Sequence, residues 1–281
     1  MKSQQNLRLK EYLAQLMQSG RYFFTSQDAS RKLGTSRNAV KLALNRLRRK
    51  GEIASPGRGL YVIVPPEYRS LGSLPADQFI PDMMRLAKTP YYAGLLSAAQ
   101  YHGAAHHRPQ EFQVMVGKAR RLIECGKVRV VFHVHRRIAE VPVQDINTPR
   151  GTVAVSTADA TAFDLIGYEA HIGGLDAVAT ILAELGEKLD ADKLVEIAPT
   201  VPLPWVQRLG YLLERIGAAP KAKLLKDYVR KRARESTALV PSAPAGPVVR
   251  ADQVESTLDD LDLLRQFPPA NSAESTHPDA M

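Results

Sequence analysis

The 281-residue sequence predicts an α+β fold in three parts followed by a tail, and three observations carry that expectation. Between Phe23 and Ile63 the apolar period changes from the helical three-and-four spacing to that of short strands. From Glu111 to Ser156, runs rich in β-branched residues alternate with glycine turns. From Ser156 to Arg234 the helical period returns. A mixed α/β layer is therefore expected after a small N-terminal module and before a C-terminal helical bundle.

The chain opens with an amphipathic helix over Leu7 to Ser19, with Leu9, Leu13, Leu16 and Met17 as its apolar stripe and Gly20 as its end. Ser26 is expected to cap a short helix from Gln27 to Leu33, and Gly34 to end it in a positive-φ conformation. Past Thr35, Ser36 caps a second helix from Arg37 to about Lys50, with Val40, Ala43, Leu44 and Leu47 on one buried stripe. Beyond Gly51 the pattern becomes a hairpin: Ile53 and Leu60 to Ile63 flank a Pro56-Gly57-Arg58-Gly59 tip. Two capped helices across a tight turn, then a hairpin, make a winged helix-turn-helix.

The stripe leaves Arg37, Asn38, Lys41, Asn45 and Arg48 on the outer face of the second helix. Arg and Lys donate to guanine edges and phosphates, and Asn pairs with adenine. Arg37, Asn38, Lys41 and Asn45 are expected to face bases, while Arg46, Arg48, Arg49 and the tip residue Arg58 hold phosphates. The competing account is that Arg46 to Lys50 only balance the negative end of the helix dipole. One winged module reads few base pairs, so two copies on repeated half-sites are expected.

Charge distribution favours the first account. The chain carries 38 Lys and Arg against 29 Asp and Glu, net +9. Met1 to Val64 hold 13 basic and 3 acidic residues, net +10, which leaves 25 against 26, net −1, for the rest. A concentrated excess of this kind binds a polyanion by releasing its condensed counterions.

The expected domains are 1–64 for the winged module, 65–81 for a Pro- and Gly-rich linker, 82–235 for an α+β domain ending in helices, and 236–281 for a mostly disordered tail. The second domain is expected to begin with a helix over Thr89 to His102, followed by strands at Glu111–Val116, Val128–His135 and Thr152–Ser156. Helices then start at Ser156-Thr157 and cover Ile172–Gly186, Asp190–Ala198, Trp205–Gly217 and Lys221–Arg234. In the tail, Val254 to Phe267 form an acidic amphipathic segment, with Val254, Leu258, Leu261 and Leu264 on one side, expected to fold against a partner.

A second cationic patch lies at Lys221 to Glu235, where Lys223, Lys226 and Arg230 share a helical face beside Lys221. That face is expected to meet RNA, DNA or an acidic surface; the alternative is a solvated helix end. An enzyme is the competing function class, metal-dependent or DNA-modifying, with His102, His106, His107, His133 and His135 as its metal candidates. Against it, the sequence contains neither the G-x-x-x-x-G-K-[ST] loop nor a G-x-S-x-G elbow, and no carboxylate or Cys accompanies the histidines at a metal-binding spacing. Asp159 and Asp164 read as a helix-start charge and a packing residue. The single Cys125 excludes an internal disulfide and reads as a structural thiol. With no apolar run of membrane-span length, no membrane partner and a cytoplasmic location are expected. No cofactor is called for.

The winged module, the run Y-Y-A-G-L-L-S-A-A-Q-Y-H-G (Tyr91 to Gly103) and the passage T-P-R-G-T-V-A-V-S-T-A-D-A-T-A-F-D-L-I (Thr148 to Ile166) together resemble the AbiEi family, the antitoxins and transcriptional regulators of type IV, abortive-infection toxin-antitoxin systems. The resemblance covers roughly Leu7 to Arg234 and leaves out the tail. It implies a winged domain that represses its own operon and a C-terminal domain that opposes a nucleotidyltransferase-type toxin, with or without direct contact. A transcriptional regulator without a toxin is the third reading.

Overall fold

The computed structural model describes residues 2–104, 110–232, 237–238, 248–249 and 254–255. In chain order the elements are α1 (Lys2–Gln18), β1 (Phe23–Thr25), α2 (Ser26–Leu33), α3 (Arg37–Arg49), β2 (Ile53–Gly57), β3 (Leu60–Ile63), α4 (Ile80–Leu86), β4 (Tyr91–Ala93) and α5 (Leu95–Tyr101). There follow β5 (Phe112–Val116), β6 (Ile123–Cys125), β7 (Val128–Val134), β8 (Val143–Thr148), β9 (Gly151–Ser156) and α6 (Ala158–Gly167). The last are α7 (Leu175–Leu185), α8 (Ala191–Ile197), α9 (Leu203–Arg215), α10 (Ala219–Arg230), β10 (Thr237–Ala238), β11 (Val248–Val249) and β12 (Val254–Glu255). Short 3-10 turns connect several of them. The chain divides into two compact units, the first comprising Met1–Ala93, Pro109–Ala139 and Gln144–Val155, the second Gly94–Arg108, Glu140–Val143 and Ser156–Met281.

The first unit contains two cores that share one small sheet. Its strands run in the order β1-β3-β2, all antiparallel, and successive side chains alternate faces. Phe24, Tyr61, Ile63 and Ile53 face α1, α2 and α3, joining Leu9, Tyr12, Leu13, Leu16, Val40, Leu44 and Leu47. Phe23, Val62 and Ala54 face the other way and join Leu74, Phe79, Ile80, Val114, Val116 and Val130. The unbroken apolar run Leu60 to Ile63 is thereby explained: a strand covered on both faces needs no polar alternation. Met17, expected in the α1 stripe, is instead exposed, and Tyr12 takes part in the core.

Residues 65–81, expected as a linker, are packed structure: Leu74, Ala76, Phe79 and Ile80 are buried in the second core. Their backbone also meets the six-stranded sheet, whose order is β6-β7-β5-β4-β9-β8. The Lys127 N–H donates to the Leu71 carbonyl at 2.8 Å, and Gly126, at φ +61, lies so close that an added Cβ would sit 2.4 Å from the Leu71 oxygen. Within that sheet β5 pairs parallel with β7 and antiparallel with β4, while β4 pairs parallel with β9. β4 replaces the start of the helix expected over Thr89 to His102, because Tyr92 and Ala93 complete the sheet and only Leu95 onward turns helical. The three-residue strands β1, β4 and β6 and the six-residue β8 had no separate expectation.

The second unit is a helical bundle. Phe163, Leu165 and Ile166 of α6 pack with Val178 and Leu182 of α7, Leu194 of α8, Leu209 and Leu212 of α9, Leu225 of α10 and Ala99 of α5. Gly167 leaves room for the Trp205 indole, which would stand 2.2 Å from an added Cβ. Against α9, Arg208 Nε donates to the Ala238 carbonyl at 2.9 Å, and β10 pairs with β12, which pairs with β11. Those six residues are therefore paired strands, within a stretch expected to be mostly disordered. The expected amphipathic segment from Val254 to Phe267 lies outside the described residues beyond Glu255.

Replacing Gly126 by Ala should destabilise the first unit by on the order of 3 kcal/mol, since strain and backbone overlap act together. The control Gly20→Ala shares a positive φ of +71 but meets nothing within 4 Å. It should cost only about 1 kcal/mol. Urea unfolding of both variants checks the difference; equal losses would remove the close approach as the cause.

Candidate nucleic-acid interface

The helix-turn-helix is held at each boundary by a specific polar contact. The cap of α2 is Thr25, one residue before the expected Ser26: its Oγ1 accepts from the Asp28 N–H at 3.0 Å and the Thr25 N–H returns a bond to Asp28 Oδ2 at 3.2 Å. Asp28 at the third helical position completes this reciprocal box, which Ser26 could not have done. Gly34 ends α2 at φ 59. Ser36 then caps α3, its Oγ accepting from Ala39 N–H at 3.3 Å. The hairpin turn is tied to α2 by the Ser26 N–H, which donates to the Gly59 carbonyl at 2.9 Å.

Burial of Val40, Ala43, Leu44 and Leu47 fixes the rotation of α3 about its axis. At 3.6 residues per turn, the line opposite that stripe is Asn38, Leu42, Asn45 and Arg49, with Arg37, Lys41 and Arg48 along one edge and Arg46 along the other. All are exposed except Asn45, which is half-buried; Arg58, on the wing turn, is exposed too. Leu42 had no place in the sequence expectations, although a leucine off the apolar stripe is visible on a helical projection.

The nearby acids are largely committed elsewhere. Asp28 serves the α2 cap and Glu52 pairs with Lys10 at 3.5 Å. Among the described residues none of Arg37, Lys41, Arg46, Arg48, Arg49 and Arg58 pairs with a carboxylate. Where α1 approaches the last turn of α3, Lys10, Arg46, Arg49 and Lys50 rim a hollow floored by Leu47. Lys10 and Lys50 are the additional cations that the sequence alone did not single out there.

The base of the winged module is clamped by Arg150. Its guanidinium lies 3.5 Å from the Tyr22 ring centroid, Nε donates to Gln78 Oε1 at 2.8 Å, and Nη2 meets Glu67 Oε1 at 3.0 Å. Tyr22 immediately precedes β1, which pairs with the hairpin strand β3, so the contact bears on the orientation of the sheet that carries the hairpin.

The second cationic patch is less uniform than its spacing suggested. Lys226 is ion-paired with Glu214 of α9, and Lys221 donates to the Gly186 carbonyl. Lys223 is exposed, and Arg230 is exposed beside Asp227 at 3.3 Å. Helical periodicity put these side chains on one face, but the neighbouring helix engages part of it.

Three of the five metal candidates are among the described residues. His102 belongs to the second unit and His133 and His135 to the first, both of the latter buried; His106 and His107 lie outside the described residues. Among the described residues no three His, Cys, Asp or Glu side chains come together as a metal site. His102 Nε2 lies 2.8 Å from the Ser156 carbonyl, which can only accept, so Nε2 carries the proton. Asp159 accepts the Asp190 N–H at 2.8 Å and thus anchors the cap of α8; burial pushes its pKa up. Cys125 is buried beside Ser73 Oγ at 3.3 Å, and burial likewise raises its thiol pKa, as suits a structural residue. No helix among the described residues is long and apolar enough to cross a membrane.

Comparison with known proteins adds three findings. A family model described as "Transcriptional regulator, AbiEi antitoxin" matches residues 11–64, and one described as "AbiEi antitoxin C-terminal domain" matches residues 92–215. A crystal structure of the RV2827C protein from Mycobacterium tuberculosis shares the fold, with a TM-score of 0.64 at 19% identity over 91% of this chain and 92% of that chain. No curated protein matches the sequence.

The buried imidazole of His102 generates a pH prediction. Burial, then the Lys188 charge, lowers its pKa, while the Ser156 bond and Asp159 oppose the shift. Because the folded pKa lies below the unfolded value of about 6.5, the unfolded chain takes up the proton first as pH falls. Stability is thus complete above about 6.5 and declines below it until the folded pKa is passed. Thermal unfolding from about pH 8 to 5 should show this decline, and His102→Gln should flatten it; an unchanged slope would assign it to other groups.

Proposed function

Since the chain belongs to the AbiEi family of antitoxins and transcriptional regulators, we propose that it is the antitoxin of a type IV, abortive-infection toxin-antitoxin system and represses its own operon through the winged module. The observation that carries this reading is the outward face of α3: exposed cations without carboxylate partners among the described residues, beside the exposed Asn38 and the half-buried Asn45, in a module of net +10. Such a face supplies both the counterion-release term and the hydrogen-bonding groups that distinguish one base pair from another.

In this proposal α3 enters a major groove. Arg37, Asn38, Lys41 and Asn45 address base edges, and Arg46, Arg48, Arg49 and Arg58 address phosphates. Two copies occupy repeated half-sites upstream of the gene, in the cytoplasm. The second unit opposes a nucleotidyltransferase-type toxin, and the exposed cations that meet such a partner, or RNA, are Lys223 and Arg230, the latter already paired with Asp227 at 3.3 Å, rather than the more buried and engaged Lys221 and Lys226.

Binding titrations on the upstream duplex and on a scrambled duplex test the assignment. Arg37→Ala or Asn38→Ala should cost about 1–3 kcal/mol on the upstream duplex and relax preference at one base pair. Arg49→Ala should weaken both duplexes alike and reduce the salt slope by about one. Identical behaviour of the two kinds of variant would refute the division of labour. For the second unit, Lys223→Glu combined with Arg230→Glu should impair rescue of growth from the co-expressed toxin while leaving DNA titrations unchanged; intact rescue would discard that face.

A further inference from the structure

We propose that Leu42 is a base-reading residue, packing its isobutyl group against the C5-methyl of a thymine in the major groove. The proposal rests on the DNA-reading role of α3. A single exposed leucine needs no explanation by itself; the address of this one does. It is 61% exposed, and the buried stripe of α3 is already complete with Val40, Ala43, Leu44 and Leu47. Among the large hydrophobic side chains exposed in the described residues, Leu42 is the one on α2, α3 or the wing.

Its neighbours on the helix surface are Asn38, one turn before, and Asn45 and Arg46, one turn after, with Arg49 two turns on. An apolar side chain amid polar readers cannot donate to or accept from a base edge. The one apolar feature a standard base pair presents in the major groove is the thymine methyl. Asparagine amides suit adenine N6 and N7. The two chemistries therefore converge on A·T pairs. Four residues of α-helix rise about 6 Å, and successive base pairs rise about 3.4 Å, so Asn38 and Leu42 span roughly two steps. The geometry points to an adenine read by Asn38 and a thymine methyl covered by Leu42 about two base pairs away.

Enrichment of duplexes from a randomised library by the full chain, followed by single replacement of each thymine with deoxyuridine, tests this directly, because the replacement deletes the methyl and keeps the hydrogen-bonding edge. At one position per half-site the wild-type protein should lose about three- to fivefold in affinity, as expected for one buried methyl. Leu42→Ala and Leu42→Gln should bind thymine and uracil duplexes equally at that position. Indifference of the wild type at every thymine overturns the proposal whatever the variants do, as does a methyl effect that survives in both. Enrichment of no sequence would instead overturn the reading of α3 as a DNA reader, and Leu42 with it.

Discussion

The orientation of the whole exposed cationic face of α3 depends on burial of four of its side chains. Val40, Ala43, Leu44 and Leu47 lie against α1 and the wing sheet, and each of the larger three gains about 1.5–3 kcal/mol from leaving water. Rotating α3 by one residue would expose part of that stripe and bury Lys41 or Arg48 without a partner. The apolar side thus determines which polar side chains face outward. The same sheet that receives α3 on one face is covered on the other by Leu74, Phe79 and Ile80, so the wing has little freedom to move away from the helices.

Two backbone approaches make that second layer possible. Gly126 lies against Leu71 and Gly72, where no side chain fits, and the Lys127–Leu71 hydrogen bond closes the contact. Arg150 adds a cationic clamp that joins Tyr22 to Gln78 and Glu67. Helix caps supply the remaining precision: the Thr25–Asp28 box and Ser36 satisfy donors that would otherwise be left open at the two helix starts flanking the turn. In the second unit, packing around Phe163 and Leu182 plays the corresponding part, and a polar side chain, Asp159, holds the start of a helix.

Electrostatics then separates two cationic groups that look alike in composition. On α3 and the wing the cations project into solvent, with local carboxylates committed to a cap and to Lys10. On α10 the cations share a face with groups from α9 and the turn after α7, so Lys226 is neutralised by Glu214 and Lys221 caps a carbonyl. A polyanion would meet a free field at the first and a partly satisfied one at the second.

Local order was the legible part. The α3 stripe, the Gly34 end, the Ser36 cap and the concentration of charge before Val64 each depend on residues within a turn or two of one another, so spacing alone determines them. Short strands were not legible: β1 and β4 have three residues each and become strands only because β3 and β5 offer them hydrogen bonds. The stretch from Pro65 to Pro81 has the composition of a linker, and nothing local reveals that Gly72 will meet Gly126. Likewise the sequence determined where cations are plentiful, but only the tertiary structure decided which of them stay unpaired, because a salt bridge such as Lys226–Glu214 forms between helices whose approach is set by the core beneath them.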